Sequence, residues 1–185
     1  MQKRKTTVIA LILVCVAFVS SGTLAYFTAE EKTHNVITTG NVEIELYEWA
    51  DSEKETPFEP VEGVMPGTAV TKIVEVKNVG GNDAFVRVKV EKEILLKDQQ
   101  DKCDLEVVSL DINKNYWEEK DGFYYYKEIL ESGAETKEPL FTTVTFADGM
   151  ENIYQKCTVN INVSAQAVQA DNNGTDSLTA SGWPE

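Results

Sequence analysis

The sequence predicts an all-β protein, an antiparallel β-sandwich that follows an N-terminal signal peptide. Two observations support the sandwich: apolar and polar residues alternate with period two in several short runs, and turn signals rich in Gly, Pro, Asn or Asp separate those runs. A third observation, a basic and then apolar N-terminus, indicates the signal peptide. Antiparallel strands with one apolar face bury that face best when two sheets pack together.

The N-terminus has the three-part layout of a secretory signal peptide. Residues 3–5 are basic, and residues 8–19 form an uninterrupted apolar run. A membrane-spanning helix needs about 20 apolar residues, so cleavage is favoured over a stable anchor. The expected cut follows the small residues Thr23 and Ala25 and leaves Tyr26 as the new N-terminus. Contact with a membrane would then occur only through the uncleaved signal.

Composition limits the partners of the mature chain. Removing the signal takes away three of the 17 basic residues and none of the 31 acidic ones, which leaves a net charge of −17. This field repels phosphate backbones and anionic lipids, so no nucleic-acid partner is expected. The charge fits either a simply solvated surface or association that depends on cations or on pH. The predicted organisation has four parts, namely a signal peptide 1–25, an N-terminal segment 26–39, a β-sandwich 40–170 and a polar C-terminal tail 171–185.

The clearest strands are four runs in which branched or small apolar residues alternate with polar ones. They cover residues 41–46, 74–77, 86–91 and 158–167, the last with the most regular alternation. In the second run, Val74 and Val76 are predicted to lie on the apolar face, and Glu75 and Lys77 on the polar face. A further run, PLFTTVTF, places Leu140, Thr142, Val144 and Phe146 on one side.

Turn signals divide these runs at residues 65–67, 80–83, 120–122 and 147–149. The sequence YWEEKDGFYYYKEIL predicts a hairpin that turns at Asp121-Gly122. In this hairpin Tyr124 and Tyr126 share one face, and Phe123 and Tyr125 share the other. Two segments are expected outside the strands: a long acidic loop over residues 50–63 and a loose tail from residue 171 onward.

The residues of common catalytic and metal sites are missing from the sequence. Its single histidine, His34, lies near the new N-terminus in a polar segment, so neither an H-E-x-x-H zinc site nor a packed Ser/His/Asp or Cys/His arrangement is expected. There is no Gly-rich phosphate loop. The stretch DNNGTD, residues 171–176, has oxygen ligands but the wrong glycine position for an EF-hand. The sequence therefore predicts no catalytic residue, no metal ligand and no cofactor.

Two cysteines remain after the signal, which removes Cys15. In an oxidising compartment Cys103 and Cys157 could form a disulfide that closes a loop of more than fifty residues. Such a bond has a nominal value of about 4 kcal/mol. The alternative is a pair of buried free thiols, and the sequence leaves both open.

Three stretches resemble the TasA/camelysin family of exported bacterial proteins, which carry signals of the SipW type. They are SSGTLAYFTAEEKTHNVITTGNVEIEL, VMPGTAVTKIVEVKNVGGNDAFVRVKVE and VNINVSAQAVQADN followed by Trp183. The matching positions are Gly22, Thr23, Ala25, Phe27, Gly40 to Ile44, the turn Pro66-Gly67, and the N-x-G step from Asn78 to Gly80. The signal junction is the most specific of these and resembles signals cut by a signal peptidase of the endoplasmic-reticulum type.

The resemblance implies a jelly-roll-like sandwich and a role as a fibre or biofilm-matrix subunit at the bacterial surface or in the extracellular matrix. In such fibres the N-terminal stretch of one subunit adds as a strand to the next subunit, which is itself a copy or a homologue. The implied donor here is residues 26–39, with Phe27, Val36 and Ile37 as apolar anchors. Cleavage would free this end, because an attached signal holds it at the membrane.

Two other functions compete with the fibre subunit. One is a secreted monomeric binding or adhesion module, whose loops or tyrosine hairpin contact a glycan or a host protein. The other is a camelysin-like metallopeptidase, since members of the family have been classed in this way, although the residues above give no support to that activity.

Overall fold

The computed structural model describes residues 35–38, 42–59, 65–96, 103–150, 154 and 157–184. The predicted signal peptide, its cleavage residues Thr23, Ala25 and Tyr26, the anchor Phe27 and the single histidine His34 lie outside the described residues.

The described residues form strands throughout, joined by turns and loops and by one short 3-10 turn at Leu105–Val107. The strands are β1 Asn35–Thr38, β2 Ile44–Trp49, β3 Ala69–Thr71, β4 Ile73–Asn78, β5 Ala84–Leu95, β6 Val108–Leu110, β7 Trp117–Lys120, β8 Phe123–Tyr126, β9 Thr143–Phe146 and β10 Thr158–Gln169.

The strands make two layers. Sheet I has the order β1-β10-β5-β8-β7, and every pairing in it is antiparallel except the one between β1 and β10. The other layer combines the pair β2-β4 with the trio β3-β9-β6. These two parts join because residues 134–142, which precede β9, run beside β4 and exchange backbone hydrogen bonds with it, such as Leu140 N–H to Val74 C=O at 2.8 Å. We call this combined layer sheet II.

The order of strands is that of an interleaved sandwich. In sheet I, β5 lies between β10 and β8, and in sheet II, β9 lies between β3 and β6. Each sheet therefore takes neighbours from distant parts of the chain, as in a jelly roll. The prediction of an all-β, antiparallel, jelly-roll-like sandwich is confirmed.

One hydrophobic core fills the space between the sheets. Sheet II contributes the alternating residues Ile44 and Leu46 of β2 and Val74 and Val76 of β4, all buried. Sheet I contributes alternating residues of β5 and β10 to the same cluster, together with Trp117, which is 1% exposed. The period-two patterns thus identified the core-facing residues correctly, because alternate side chains of a strand point to opposite faces.

The tyrosine hairpin forms as predicted. Asp121 and Gly122 both have positive φ, 52° and 78°, which is the conformation of a two-residue turn matched to the twist of a hairpin. The turn sets Trp117 opposite Tyr126 in the pairing of β7 with β8. Pro66-Gly67 also forms a turn, with Gly67 at φ 73°.

One residue of the predicted polar face of β4, Glu75, is buried, while Lys77 is partly exposed. Glu75 is 2% exposed because part of the acidic loop, residues 50–59, covers it, and Lys54 from that loop lies 2.6 Å from its carboxylate. Lys72, just before β4, is also buried, 2.7 Å from Glu48 and with its ammonium over the ring of Phe58. Burial of these charges is possible because each has an oppositely charged partner.

The expectation of a loose C-terminal tail is wrong. Residues 171–184 fold back onto sheet I, and Ser177, 2% exposed, donates a hydrogen bond to the Tyr126 carbonyl at 2.7 Å. The polar residues that suggested disorder bind one another: Asn173 donates to the carbonyls of Gln169 and Ser181, both at 3.0 Å. A polar sequence can be ordered when its groups satisfy each other in this way.

Candidate functional site at the β1–β10 edge

The N-terminal strand β1 lies on the outer edge of sheet I. It pairs in parallel with β10, from Asn35 opposite Ser164 to Thr38 opposite Ala167. On its other side β10 pairs with β5 over its whole length, from Thr158 to Gln169. On the outer edge of β10, the described part of the chain therefore covers residues 164–167 and leaves residues 158–163 and 168–169 unpaired.

This edge is the side on which the two sheets meet. β1 contacts both β10 in sheet I and β2 in sheet II. The core-facing residues of these two neighbours are fully buried, with Ala165 and Ala167 at 0% exposure and Ile44 and Leu46 at 3%. A strand at this position both completes sheet I and covers the seam between the sheets.

Two of the predicted anchor residues lie in β1. Val36 is opposite Ala165 and Ile37 is opposite Gln166 in the strand register. The structure therefore brings these two positions to the last strand of the chain. Their role as donor anchors stays a prediction, as does that of Phe27 outside the described residues.

The opposite edge of sheet I has a different character. There β7 ends the sheet, and its residues Glu118, Glu119 and Lys120 are exposed. Short edge strands with charged side chains discourage pairing with another chain. Of the two edges of sheet I, the β7 side is therefore the one protected against strand addition.

The tyrosine hairpin is committed to packing within the molecule. Tyr126 is 1% exposed and lies 5.1 Å from Trp117 between ring centroids, and its hydroxyl accepts a hydrogen bond from the Lys137 amide at 3.0 Å. Burial raises the pKa of both Tyr124 and Tyr126. Tyr125 is buried as well, against Trp183. The hairpin does not present a free aromatic platform of the kind that the binding-module hypothesis requires.

The described residues do not fit a peptidase metal centre. Nowhere among them do three His, Cys, Asp or Glu side chains converge in a way that could hold a metal ion. In the DNNGTD stretch the carboxylate of Asp176 instead accepts hydrogen bonds from the amide and hydroxyl of Thr179, both at 2.9 Å. Those bonds lower the pKa of Asp176.

The two mature cysteines are free thiols, Cys103 exposed and Cys157 partly buried. Tyr154 links their surroundings: its hydroxyl accepts a hydrogen bond from the Asp104 amide at 2.8 Å, and its carbonyl accepts one from the Cys157 amide at 3.1 Å. Burial raises the pKa of Cys157. A disulfide between the two stays a prediction.

A sequence model of the family described as camelysin metallo-endopeptidase matches residues 1–122. The chain belongs to the camelysin family. The match extends from the predicted signal peptide to the turn between β7 and β8, and it confirms the TasA/camelysin resemblance. Camelysin-family proteins are generally exported. No curated protein and no solved structure matches the chain. Within the described residues, no helix is long and apolar enough to cross a membrane.

In this camelysin-family chain, the N-x-G step from Asn78 to Gly80 has a structural role. Asn78 is completely buried, and its amide donates to the carbonyls of Asn82 at 2.8 Å and Leu130 at 3.0 Å. Its carbonyl oxygen accepts from the Gly80 amide at 3.0 Å. A Cβ at Gly80 would lie 2.6 Å from the backbone nitrogen of Glu43, so a side chain there cannot fit without movement.

Sequence reasoning missed two parts of the site, the acceptor strand and the residues behind it. The alternation in residues 158–167 identified a strand, but only the sheet order shows that its outer edge receives β1. The alternation in residues 86–91 predicts that Arg87 lies on the polar face of its strand, yet it lies among aromatic rings beneath the C-terminal segment. The aromatic residues Phe123 and Trp183 were visible signals, but their meeting depends on tertiary structure.

Proposed function

We propose that the mature chain is an exported, non-enzymatic structural subunit of a fibre or biofilm matrix at the bacterial surface. Each subunit would donate its N-terminal segment, residues 26–39, as a strand to the outer edge of β10 in the next copy or in a homologous subunit. The observation that carries this proposal is the parallel pairing of β1 with β10 at the edge of an otherwise antiparallel sandwich.

The length of the donor suits the length of the edge. Continuing the register of β1 toward the N-terminus places residue 29 opposite Thr158, the first residue of β10. Residues 29–34 would then pair with residues 158–163 of the edge, which the described residues leave unpaired. Strand addition of this kind obtains its affinity from main-chain hydrogen bonds, so it tolerates the polar sequence of the donor.

The pairing of β1 within its own chain is suited to exchange. β1 has four residues and, among the described residues, pairs with a strand on one side only, so few of the described backbone hydrogen bonds hold it. The identical segment of a second copy can make the same bonds. Because donor and acceptor are different surfaces, the contact is head-to-tail and propagates into a filament.

A structural role also fits the chemistry of the described residues. They hold no cluster of three metal-ligating side chains, and His34 lies outside them. The family description as a metallo-endopeptidase leads to a direct test: purified protein should show no chelator-sensitive cleavage of an unfolded protein substrate. Activity that survives purification and is lost with chelator would contradict the non-enzymatic role.

The first experiment compares residues 26–185 with a version that begins at Gly40, by electron microscopy and size-exclusion chromatography. Both are examined near neutral pH and at mildly acidic pH, where the charge of −17 derived from the composition is reduced. Polymers from the longer form alone are the expected result. Two forms that stay monomeric in every condition would overturn self-assembly.

A cross-linking experiment tests the acceptor edge itself. One batch carries Asn35→Cys and a second carries Ser164→Cys, two positions that face each other in the register, with Cys103 and Cys157 replaced by Ser in both. Mixed and oxidised under assembly conditions, the batches should yield a cross-linked dimer with one subunit of each kind. A matched batch with Glu118→Cys on the β7 edge should not cross-link to Asn35→Cys. Equal cross-linking at both edges would contradict the proposal.

A further inference from the structure

The C-terminal segment, residues 171–184, covers the outer face of sheet I directly behind the acceptor strand. Trp183 and Ala180 pack against Phe85 of β5 and against Val168 and Ala170 at the end of β10. Phe85, Val168 and Ala170 are buried in a cluster separate from the main core, and the C-terminal segment packs against that cluster. We call this segment the C-terminal latch.

Arg87 of β5 makes three directed hydrogen bonds, one each to the latch, to β10 and to β8. Its Nε donates to the side-chain oxygen of Gln166 at 2.7 Å, its Nη1 to the hydroxyl of Tyr125 at 3.1 Å, and its Nη2 to the carbonyl of Pro184 at 3.0 Å. A guanidinium can make all three at once because its donors are fixed in a planar fork.

Aromatic rings fix the plane of that guanidinium. Its central carbon lies 3.9 Å from the ring centroid of Phe123 and 4.7 Å from that of Trp183. Trp183 also meets Tyr125 edge to face, with centroids 5.7 Å apart. Removing the indole would therefore loosen Arg87 as well as the latch.

Through Arg87 the latch is linked to the part of β10 that pairs with β1. Gln166 lies opposite Arg87 on β5 and opposite Ile37 on β1, so it stands between the two neighbouring strands. Its side chain, 8% exposed, is held by Arg87 on the outer face. The same residue thus joins the latch on one side of the sheet to the strand pairing at its edge.

We propose that the C-terminal latch holds β10 in place as the acceptor of the N-terminal strand, with Arg87 and Trp183 as positioning residues. The role of β10 as an acceptor rests on the proposed function, but the coupling between the latch and β10 is a property of a single subunit. Loss of the latch would loosen residues 164–169 and β1 together, while β4 in sheet II stays unaffected.

Hydrogen exchange on the monomeric fraction of residues 26–185 tests this coupling. Trp183→Ala and Arg87→Lys should each speed the exchange of amides in residues 164–169 by about tenfold relative to those of β4. The lysine variant keeps the charge but not the planar fork. Trp183→Phe is a milder second variant, with a smaller increase in the same residues. Trp49→Ala is the matched control, because it removes an indole from sheet II. Trp49 pairs with Ile73 of β4, so in this variant the exchange of residues 164–169 is compared with that of the parent chain.

The outcomes separate the latch from fibre formation. Selective acceleration in the Trp183 and Arg87 variants, absent in Trp49→Ala, supports the latch even where no variant polymerises. Unchanged exchange of residues 164–169 in Trp183→Phe and Arg87→Lys would overturn the latch even where Trp183→Ala fails to fold. Polymerisation of the parent chain is scored separately and decides only the proposed function.

Discussion

Replacing the buried Asn78 by Ala should destabilise the sandwich by about 2–3 kcal/mol. The change removes three side-chain hydrogen bonds, two donated to the carbonyls of Asn82 and Leu130 and one accepted from the Gly80 amide. Each is worth about 1 kcal/mol net. The total loss of stability should not exceed the sum of these three contributions, because the Gly80 amide and the Leu130 carbonyl keep backbone hydrogen-bond partners.

The assay is urea unfolding of the version that begins at Gly40, followed by circular dichroism and supplemented by a thermal scan. At about 2–4 °C per kcal/mol for a domain of this size, the melting temperature should fall by about 5–10 °C. Asn160→Ala is the control. Asn160 also donates a side-chain hydrogen bond, to Glu93 at 2.9 Å, but that bond is exposed, so the expected change is below about 0.5 kcal/mol.

Asn78→Asp sharpens the same test. It replaces the one amide nitrogen that donates both bonds by an oxygen that would face the carbonyls of Asn82 and Leu130, so it should destabilise more than Ala does. An Asn78→Ala change no larger than that of Asn160→Ala would refute the reasoning. An Asp variant as stable as the parent would show that the buried amide is not the feature that fixes this turn.

Two further predictions concern the loop over β4 and the cysteine pair. Lys54→Met should lower the free energy of unfolding in urea by about 1–3 kcal/mol, because it leaves the buried Glu75 without the ammonium 2.6 Å away. Adding Glu75→Gln should recover part of that loss. No recovery would mean that the packing of Lys54, and not its charge, stabilises the loop. Under mild oxidation Cys103 and Cys157 should form a disulfide, which peptide mapping without reductant would detect. The bond should stabilise the fold by at most about 4 kcal/mol. Full alkylation of both thiols after oxidation would contradict the pairing.

The local parts of the fold could be predicted from the sequence. The hairpin at Asp121-Gly122 could be predicted because few residue pairs adopt positive φ so easily at two consecutive positions. The strand over residues 158–167 could be predicted because one face of β10 packs into the core, which requires alternating apolar residues. Both signals depend on neighbours in the chain.

The long-range parts could not be predicted. Glu75 looks like a solvent-facing residue of an alternating strand, and only the position of Lys54, brought over it by a separate loop, makes its burial possible. The C-terminal latch looked loose because its composition is polar, yet Arg87 and Trp183 hold it to sheet I. Lys54 is far in sequence from Glu75, and Arg87 is far in sequence from the latch.

The candidate site divides in the same way. Its proposed donor half, residues 26–39, is what the resemblance at the signal junction implies, and it stays a prediction. Its acceptor half, the outer edge of β10, depends on which strand ends up at the edge of sheet I, and no local pattern encodes that order.

The pairing of β5 with β10 has a consequence for the order of events during export. Ala84 lies opposite Gln169, so the central pair of sheet I joins residues that are far apart in the chain. Distant pairings of this kind form slowly, since a large loop must close first. The outer edge of β10 therefore forms only after β10 has been released. Under the proposed strand donation, a subunit still in transit has no edge to accept a strand, and we expect growth to begin only among fully released chains.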